Sequence, residues 1–170
     1  IRPYLYLGGE RNAHNHKELS YRTQCSFVLN LAWEVANFFP EELEYFKLFL
    51  SDYSSSADEL NSQIDNGVAF IDRARAANSS VLVHCVAGIS RSSTIVIAYL
   101  MKETEHTFKS SLDLLSTKLI ANMNKIKPDM GTLMQLMQVE LHFKKINTIT
   151  EQDIKTDHVM SRLGDMGLMS

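Results

Sequence analysis

The stretch Val81-Leu82-Val83-His84-Cys85-Val86-Ala87-Gly88-Ile89-Ser90-Arg91-Ser92-Ser93 constrains this chain more than any other. It opens as a short apolar run, which reads as a buried strand. It passes through a compact segment around Gly88 and continues into Thr94-Ile95-Val96-Ile97-Ala98-Tyr99-Leu100, an apolar, helix-compatible run. A strand, a tight loop and a helix in that order gather backbone N–H groups around one point, an anion cradle at a helix N-terminus. The loop carries a cysteine at one end and an arginine at the other, with five residues between them.

The flanking sequence supplies a sheet for that strand. Tyr4-Leu5-Tyr6-Leu7 reads as a short first strand at a sheet edge, stopped by Gly8-Gly9. Residues 12–19 are polar and can hold a short helix. His14 and His16, two apart, do not share a helix face and read as solvated surface rather than metal ligands. Cys25-Ser26-Phe27-Val28-Leu29-Asn30-Leu31 is predicted as a buried strand, with Cys25 a small core residue. Tyr45 to Leu50 is a further strand candidate, followed by a polar, serine-rich surface loop over 51–58. Leu60, Ile64, Val68, Ile71 and Ala74 then recur at helical spacing over 59–77, with Ser56 or Asp58 as candidate cap. Strand, helix and the Val81 strand make a parallel βαβ unit.

Beyond the loop, Ser92 to Glu103 is apolar nearly all round and predicts a central, buried helix. Phe108, Leu112, Leu115 and Leu119 give the next helix its apolar face. Pro128 restarts the chain, Asp129 can cap, and Leu133, Met137 and Leu141 mark the inner face of a last helix. All eight methionines lie beyond residue 100, in this helical half or in the tail, and read as gap-filling core residues. Residues 147–170 are polar with scattered apolar positions, a partly ordered or disordered tail. The reading is one domain over 1–146 and a tail over 147–170.

At 170 residues and 45% hydrophobic, the chain can bury a sizeable core. A net charge of -3 argues against a general nucleic-acid or anionic-membrane binder. Two cysteines are too few for a disulfide framework or a zinc cluster, and a reactive Cys85 fits a reducing compartment. The expectation is a cytoplasmic protein, with the nucleus as a second location. No apolar run is long enough for a transmembrane span. No metal and no cofactor are expected.

Attack on a phosphate monoester needs an in-line nucleophile, donors around the equatorial oxygens, and a proton for the leaving group. Cys85, at a helix N-terminus among amides and beside an arginine, is expected to ionise well below the ordinary thiol value of about 8.5. Arg91 offers a planar fork for two phosphate oxygens. The amides of Val86, Ala87, Gly88, Ile89, Ser90 and Arg91 complete the cradle, and Gly88 lets the loop turn. Ser92 is placed to donate a hydrogen bond to the sulfur. His84 reads as a residue that fixes the loop rather than as a base.

His84 to Ser92 resembles the signature of the cysteine-dependent protein phosphatases. Ala87 to Ser93, with Ala98-Tyr99-Leu100-Met101, is similar to the dual-specificity branch. So are residues 1–8, Val28-Leu29-Asn30-Leu31-Ala32, Phe70-Ile71-Asp72, and Pro128-Asp129-Met130-Gly131 with Gln135-Leu136. The resemblance covers roughly residues 1–145.

That resemblance implies an α/β fold with a central mixed, mostly parallel sheet flanked by helices. It implies hydrolysis of phosphotyrosine and phosphoserine or phosphothreonine in proteins through a cysteinyl-phosphate. It also implies a general acid on a separate loop about thirty residues before the nucleophile. Asp52 fits that place and Asp58 is the second candidate. The loop around Asp52 is about two residues longer than the family pattern, and Asp129 and Thr132 replace its frequent asparagine and phenylalanine. Since this sequence carries no kinase-docking domain before its catalytic unit, the expectation is an atypical, catalytic-domain-only member.

The same loop serves relatives acting on phosphoinositides, glycans or RNA 5′ ends. A cradle without lysine and the absence of a broad basic face argue against those substrates. Two other classes stay open, a phosphate-recognising module without turnover and a scaffold that contacts partners through its tail. The expected partner is a phosphorylated protein, with no nucleic acid or membrane.

Overall fold

The computed structural model describes residues 1–50, 57–88, 90–103, 106–120, 137, 139–141 and 143. Strands β1 (Leu5–Gly8), β2 (Cys25–Asn30), β3 (Glu44–Lys47) and β4 (Ser80–His84) form one sheet in the order β1-β4-β2-β3. All three pairings are parallel, and an isolated antiparallel bridge joins Arg2 to Leu5. Helices α1 (Glu10–Ala13), α2 (Ala57–Ala76), α3 (Arg91–Glu103) and α4 (Phe108–Ile120), with a π-helical turn at Glu18–Arg22, complete the described elements. This is the α/β, mostly parallel sheet flanked by helices that the sequence predicts.

Alternation along the strands divides the core. Leu5, Phe27, Leu29, Val81 and Val83 share one cluster with Leu60, Ile64, Val68, Ile71 and Ala74, the predicted stripe of α2. Leu82 and Cys25 pack in a separate cluster with Ala13 and Leu19. Cys25 is the inert core residue expected, its thiol pushed up to about 11 chiefly by burial. Every residue of α3 from Ser92 to Met101 is buried, which explains its apolar circumference. The α2–α3 approach is close, since a Cβ on Gly67 would stand 3.1 Å from Ile95 Cδ1.

Parallel strands deliver their following loops to one edge of the sheet. Gly8, His84, Asn30 and Lys47, the last residues of the four strands, lie opposite one another in a single row. At the other edge, the Tyr4 hydroxyl lies 2.9 Å from that of Tyr99 and donates to Glu103 Oε1 at 3.2 Å. Arg75 pairs with Glu103 and sits 5.6 Å from the centre of the Tyr4 ring. Burial, then Tyr99, push the Tyr4 phenol above its ordinary value. This network joins the start of β1 to the carboxyl ends of α2 and α3.

Several boundaries differ from expectation. The helix predicted within 12–19 is divided: a first turn begins already at Glu10, where Gly9 N–H donates to Asn12 Oδ1 and Glu10 N–H donates to Val86 O, and helical backbone resumes at His16 and runs into the π-helical turn. His14 and His16 are more than solvated surface. Their rings stand edge-on to Phe38 and Phe39, and His16 Nε2 contacts Glu42 Oε2 at 2.7 Å. Strand β3 stops at Lys47, although Leu48 and Leu50 are buried and Leu48 N–H still reaches Asn30 O at 2.9 Å. Asp58 lies inside the first turn of α2, so it complements the helix dipole rather than capping it.

In the last helix, Met137 is buried as expected, but Leu141 is exposed. Val139 and Glu140 are fully buried instead, because Glu140 Oε1 accepts the Phe108 amide at 2.8 Å and turns that face toward the start of α4. The residues from 121 to 136, including Asp129, and the tail over 147–170 lie outside the described residues.

Candidate active site

The predicted strand–loop–helix is present. Strand β4 ends at His84 and α3 begins at Arg91, leaving Cys85 to Ser90 as the connection. Cys85 is buried. Its Sγ accepts the Gly88 amide at 3.2 Å and lies 3.3 Å from Ser92 Oγ. Negative charge on sulfur is therefore met by an amide donor and, when the hydroxyl turns toward it, by Ser92.

Gly88 has φ +75°, the left-handed region, and its Cβ position would fall 2.6 Å from the Gly8 carbonyl carbon and oxygen. A Cβ on Gly9 would stand 2.8 Å from Val86 O. The Gly8-Gly9 pair is thus more than a strand terminator. It lets the β1–α1 junction pack flat against the loop backbone, and no sequence pattern links residues 8 and 88. Ser90 closes the loop into α3: its carbonyl accepts the Thr94 amide at 3.0 Å, Ser93 Oγ at 2.6 Å and Thr94 Oγ1 at 3.1 Å.

His84 is fully buried, with its Nδ1 3.2 Å from Cys85 O. Its Nε2 is buried with no hydrogen-bond partner among the described residues. Burial chiefly, with Lys47 nearby, pulls the imidazole below its ordinary value, and the contact to Cys85 O opposes this. A neutral imidazole under the loop fits a residue that fixes the backbone.

Arg91 points back across the sheet edge. Its Nη1 donates to Leu31 O at 3.3 Å and to Glu34 Oε2 at 3.2 Å, and its Nη2 donates to Glu34 Oε1 at 2.7 Å. The Arg91 hydrogen bond is the main reason the Glu34 carboxyl is held below its ordinary range. Sequence reasoning missed Glu34. It stands 57 residues before Arg91, in a loop with no motif, and only the adjacency of β2 to β4 joins them.

The loop carrying Glu34 is itself tied to the terminal row of the sheet. The buried Asn30 side chain donates to Val35 O at 2.9 Å and to Asn37 Oδ1 at 3.0 Å, and its Oδ1 accepts the Ala32 amide at 3.0 Å. Lys47 Nζ donates to the same Val35 carbonyl at 2.7 Å.

The structure thus brings Cys85, Gly88 and Ser92 into contact, closes the loop into α3 through Ser90, turns the Arg91 guanidinium to Glu34 and Leu31, and leaves Val86 and Ala87 at the loop surface. Ile89 and Asp52 lie outside the described residues. Asp58 is exposed near the start of α2. Cys25 takes no part, since it lies at the opposite end of the sheet from Cys85.

A thiol and a guanidinium at the two ends of a strand–loop–helix turn, on the carboxyl edge of a parallel sheet, define a cysteine-phosphatase type of site. The family model "Dual specificity phosphatase, catalytic domain" matches residues 5–142, and the chain belongs to that family. Its sequence is 39% identical over 136 residues to a protein phosphatase Slingshot homolog of Xenopus laevis, covering 80% of this chain and 19% of that protein. It is 38% identical over 133 residues to protein phosphatase Slingshot of Drosophila melanogaster, covering 78% of this chain and 12% of that protein. The chain thus spans a fifth or less of these relatives. The catalytic-domain-only reading rests on the sequence alone. Among solved structures, that of human DUSP28 superposes with a TM-score of 0.73 at 20% identity, covering 85% of this chain and 96% of that one, which shows the shared fold.

Proposed function

We propose that this chain hydrolyses phosphotyrosine and phosphoserine or phosphothreonine monoesters in proteins through a cysteinyl-phosphate. The observation that carries this reading is the placement of Cys85 Sγ, with the Gly88 amide at 3.2 Å and Ser92 Oγ at 3.3 Å, at the amino end of the buried helix α3. The sulfur attacks phosphorus in line with the leaving oxygen. The P–S bond forms as the P–O bond breaks, and the leaving oxygen takes a proton from the acid assigned to Asp52. Arg91 and the loop amides hold the equatorial oxygens. Water then attacks phosphorus and gives its proton to the Asp52 carboxylate. The P–S bond breaks, and the Ser92 hydroxyl donates to the departing sulfur.

Hydrolysis of a small aryl phosphate by the intact chain, abolished in Cys85→Ser and blocked by orthovanadate but not by chelators, is the expected result. Phosphopeptide binding without turnover by the intact chain would refute hydrolysis and leave a recognition module. A panel of phosphotyrosine, phosphothreonine, phosphoinositide and RNA 5′-phosphate substrates tests the substrate class. The reading requires higher kcat/KM on both phosphopeptides than on the lipid or RNA.

A further inference from the structure

Five large hydrophobic side chains stand exposed among the described residues: Tyr21, Trp33, Phe49, Val86 and Leu141. Three of them belong to one place in the fold. Trp33 follows β2, Phe49 follows β3 and Val86 follows β4, and these strands are consecutive in the sheet as β4-β2-β3. All three therefore leave the carboxyl edge on which Cys85 and Arg91 sit.

Trp33 is 67% exposed, Phe49 55% and Val86 41%. Trp33 lies between two residues that both bind Arg91, Leu31 through its carbonyl and Glu34 through its carboxylate. Val86 is a residue of the phosphate loop itself, one position after Cys85. Exposed apolar side chains are costly to leave in water, and three of them on the segments that leave one sheet edge make that edge, beside the phosphate site, a candidate recognition surface.

The chemistry of that edge selects among substrates. Segments 31–35, 48–50 and 85–88 contribute one charged side chain, Glu34, and it is engaged by Arg91. Lys47, at the end of β3, is turned to Val35 O. A headgroup bearing several phosphates finds one bound carboxylate and aromatic carbon here, rather than a lysine cluster. A polypeptide brings one phosphate for the loop and an apolar neighbour for the rim.

We propose that Trp33, with Phe49 and Val86, forms an apolar rim that selects phosphorylated polypeptides carrying an apolar side chain next to the phosphorylated residue. This rests on the phosphatase reading above and specifies its substrate class.

The test compares phosphopeptides identical except for leucine or aspartate on both sides of the phosphoresidue. The intact chain is expected to favour the leucine peptide in kcat/KM by about tenfold, a size set by what a buried aromatic contact contributes. Trp33→Ala is expected to remove most of that preference and Trp33→Phe to retain it. Trp33 is also the sole tryptophan of the chain, so its emission reports directly on the rim. Titrating Cys85→Ser with the leucine peptide should shift the emission to the blue.

Equal kcat/KM on the two peptides, a preference kept in Trp33→Ala, or unchanged emission would each overturn the proposal. So would a phosphoinositide in neutral lipid vesicles turned over faster than either peptide, which would assign the rim to lipid. Turnover of a small aryl phosphate by the intact chain separates the two failures. Without it the phosphatase reading fails, and with it only the rim does.

Discussion

Replacing Glu34 by alanine removes the carboxylate that holds the Arg91 guanidinium, and two effects then oppose each other. Loss of a negative charge near the phosphate site favours binding of an anion. Loss of the carboxylate loosens the arginine, which keeps its bond to Leu31 O and whose side chain carries about 2 kcal/mol of rotamer entropy. The geometry decides between them. The Nη2–Oε1 contact of 2.7 Å is a short charge-assisted bond, whereas the Nη1 contacts of 3.2 and 3.3 Å to Glu34 and Leu31 are marginal. Arg91 is 16% exposed and Glu34 35%, so the pair is partly screened and contributes no more than about 1 kcal/mol to folding.

A guanidinium carries its donors in two forks. Glu34 engages the fork between the terminal nitrogens, and we take the phosphate to be held by the other fork, that of Nε and Nη2. Positioning therefore outweighs repulsion. Re-ordering an Arg91 loosened by loss of Glu34 costs up to about 1–2 kcal/mol, which lowers kcat/KM by as much as roughly 5- to 30-fold. Glu34→Gln keeps one acceptor and should fall between wild type and alanine. Steady-state kinetics on a small aryl phosphate, with equilibrium unfolding alongside, reads both quantities. The pairing persists at neutral pH: a carboxyl held below its ordinary value contributes above that value and is lost only as pH falls through the depressed one. An unchanged or raised kcat/KM in Glu34→Ala would refute the argument and make Glu34 a competitor of phosphate.

Three further outcomes follow from the loop. Ser92→Ala deletes the hydroxyl 3.3 Å from Cys85 Sγ, so departure of the sulfur slows by roughly 5- to 30-fold, seen as a burst of phenol followed by slow turnover; a slower burst with no accumulation would contradict the role. Gly88→Ala must leave φ +75° or drive a Cβ into Gly8, so turnover should drop about a hundredfold or more while the far-ultraviolet dichroism stays native. His84 is buried with its basicity lowered, so the unfolded chain takes up its proton first as pH falls. Its stabilising contribution is complete above about 6.5 and is lost as pH falls from there through the depressed value. Urea unfolding at pH 7.5 and 5.5 should show a drop that shrinks in His84→Gln, and an identical drop in that variant would exclude His84 as its source.

The elements that carry their own periodicity are legible in the sequence alone. The α2 stripe from Leu60 to Ala74, the Val81 strand and the all-apolar α3 each encode burial in consecutive residues. The nucleophile, the arginine and Ser92 are legible because one loop compresses them into eight positions. What escapes the sequence depends on which strands are neighbours. Glu34 and Gly8-Gly9 meet the loop only because β1 and β2 both flank β4. A fully buried glutamate at 140 reads as a surface residue until its partner, the Phe108 amide, is known, and that is why the sequence sets the inner face of the last helix one position away.

The same dependence makes Asn30 the most informative residue of the sheet edge. Its side chain is fully buried and makes three hydrogen bonds that fold residues 32–37 back over the strand end. That loop presents both Leu31 O and Glu34 to Arg91. Asn30→Ala leaves the Ala32 amide and Val35 carbonyl with fewer partners, a loss of about 2–4 kcal/mol. Destabilisation alone would say nothing of function, so Val28→Ala serves as its control. Val28 is equally buried on the same strand, and its truncation costs about 2–3 kcal/mol through a cavity alone. If the loop transmits order to the arginine, Asn30→Ala lowers kcat/KM per folded molecule by roughly the factor expected for Glu34→Ala, and combining the two adds little more. Val28→Ala, corrected for folded fraction, keeps its activity. Equal losses in both variants, or full additivity of Asn30→Ala with Glu34→Ala, would break the link between the sheet edge and Arg91.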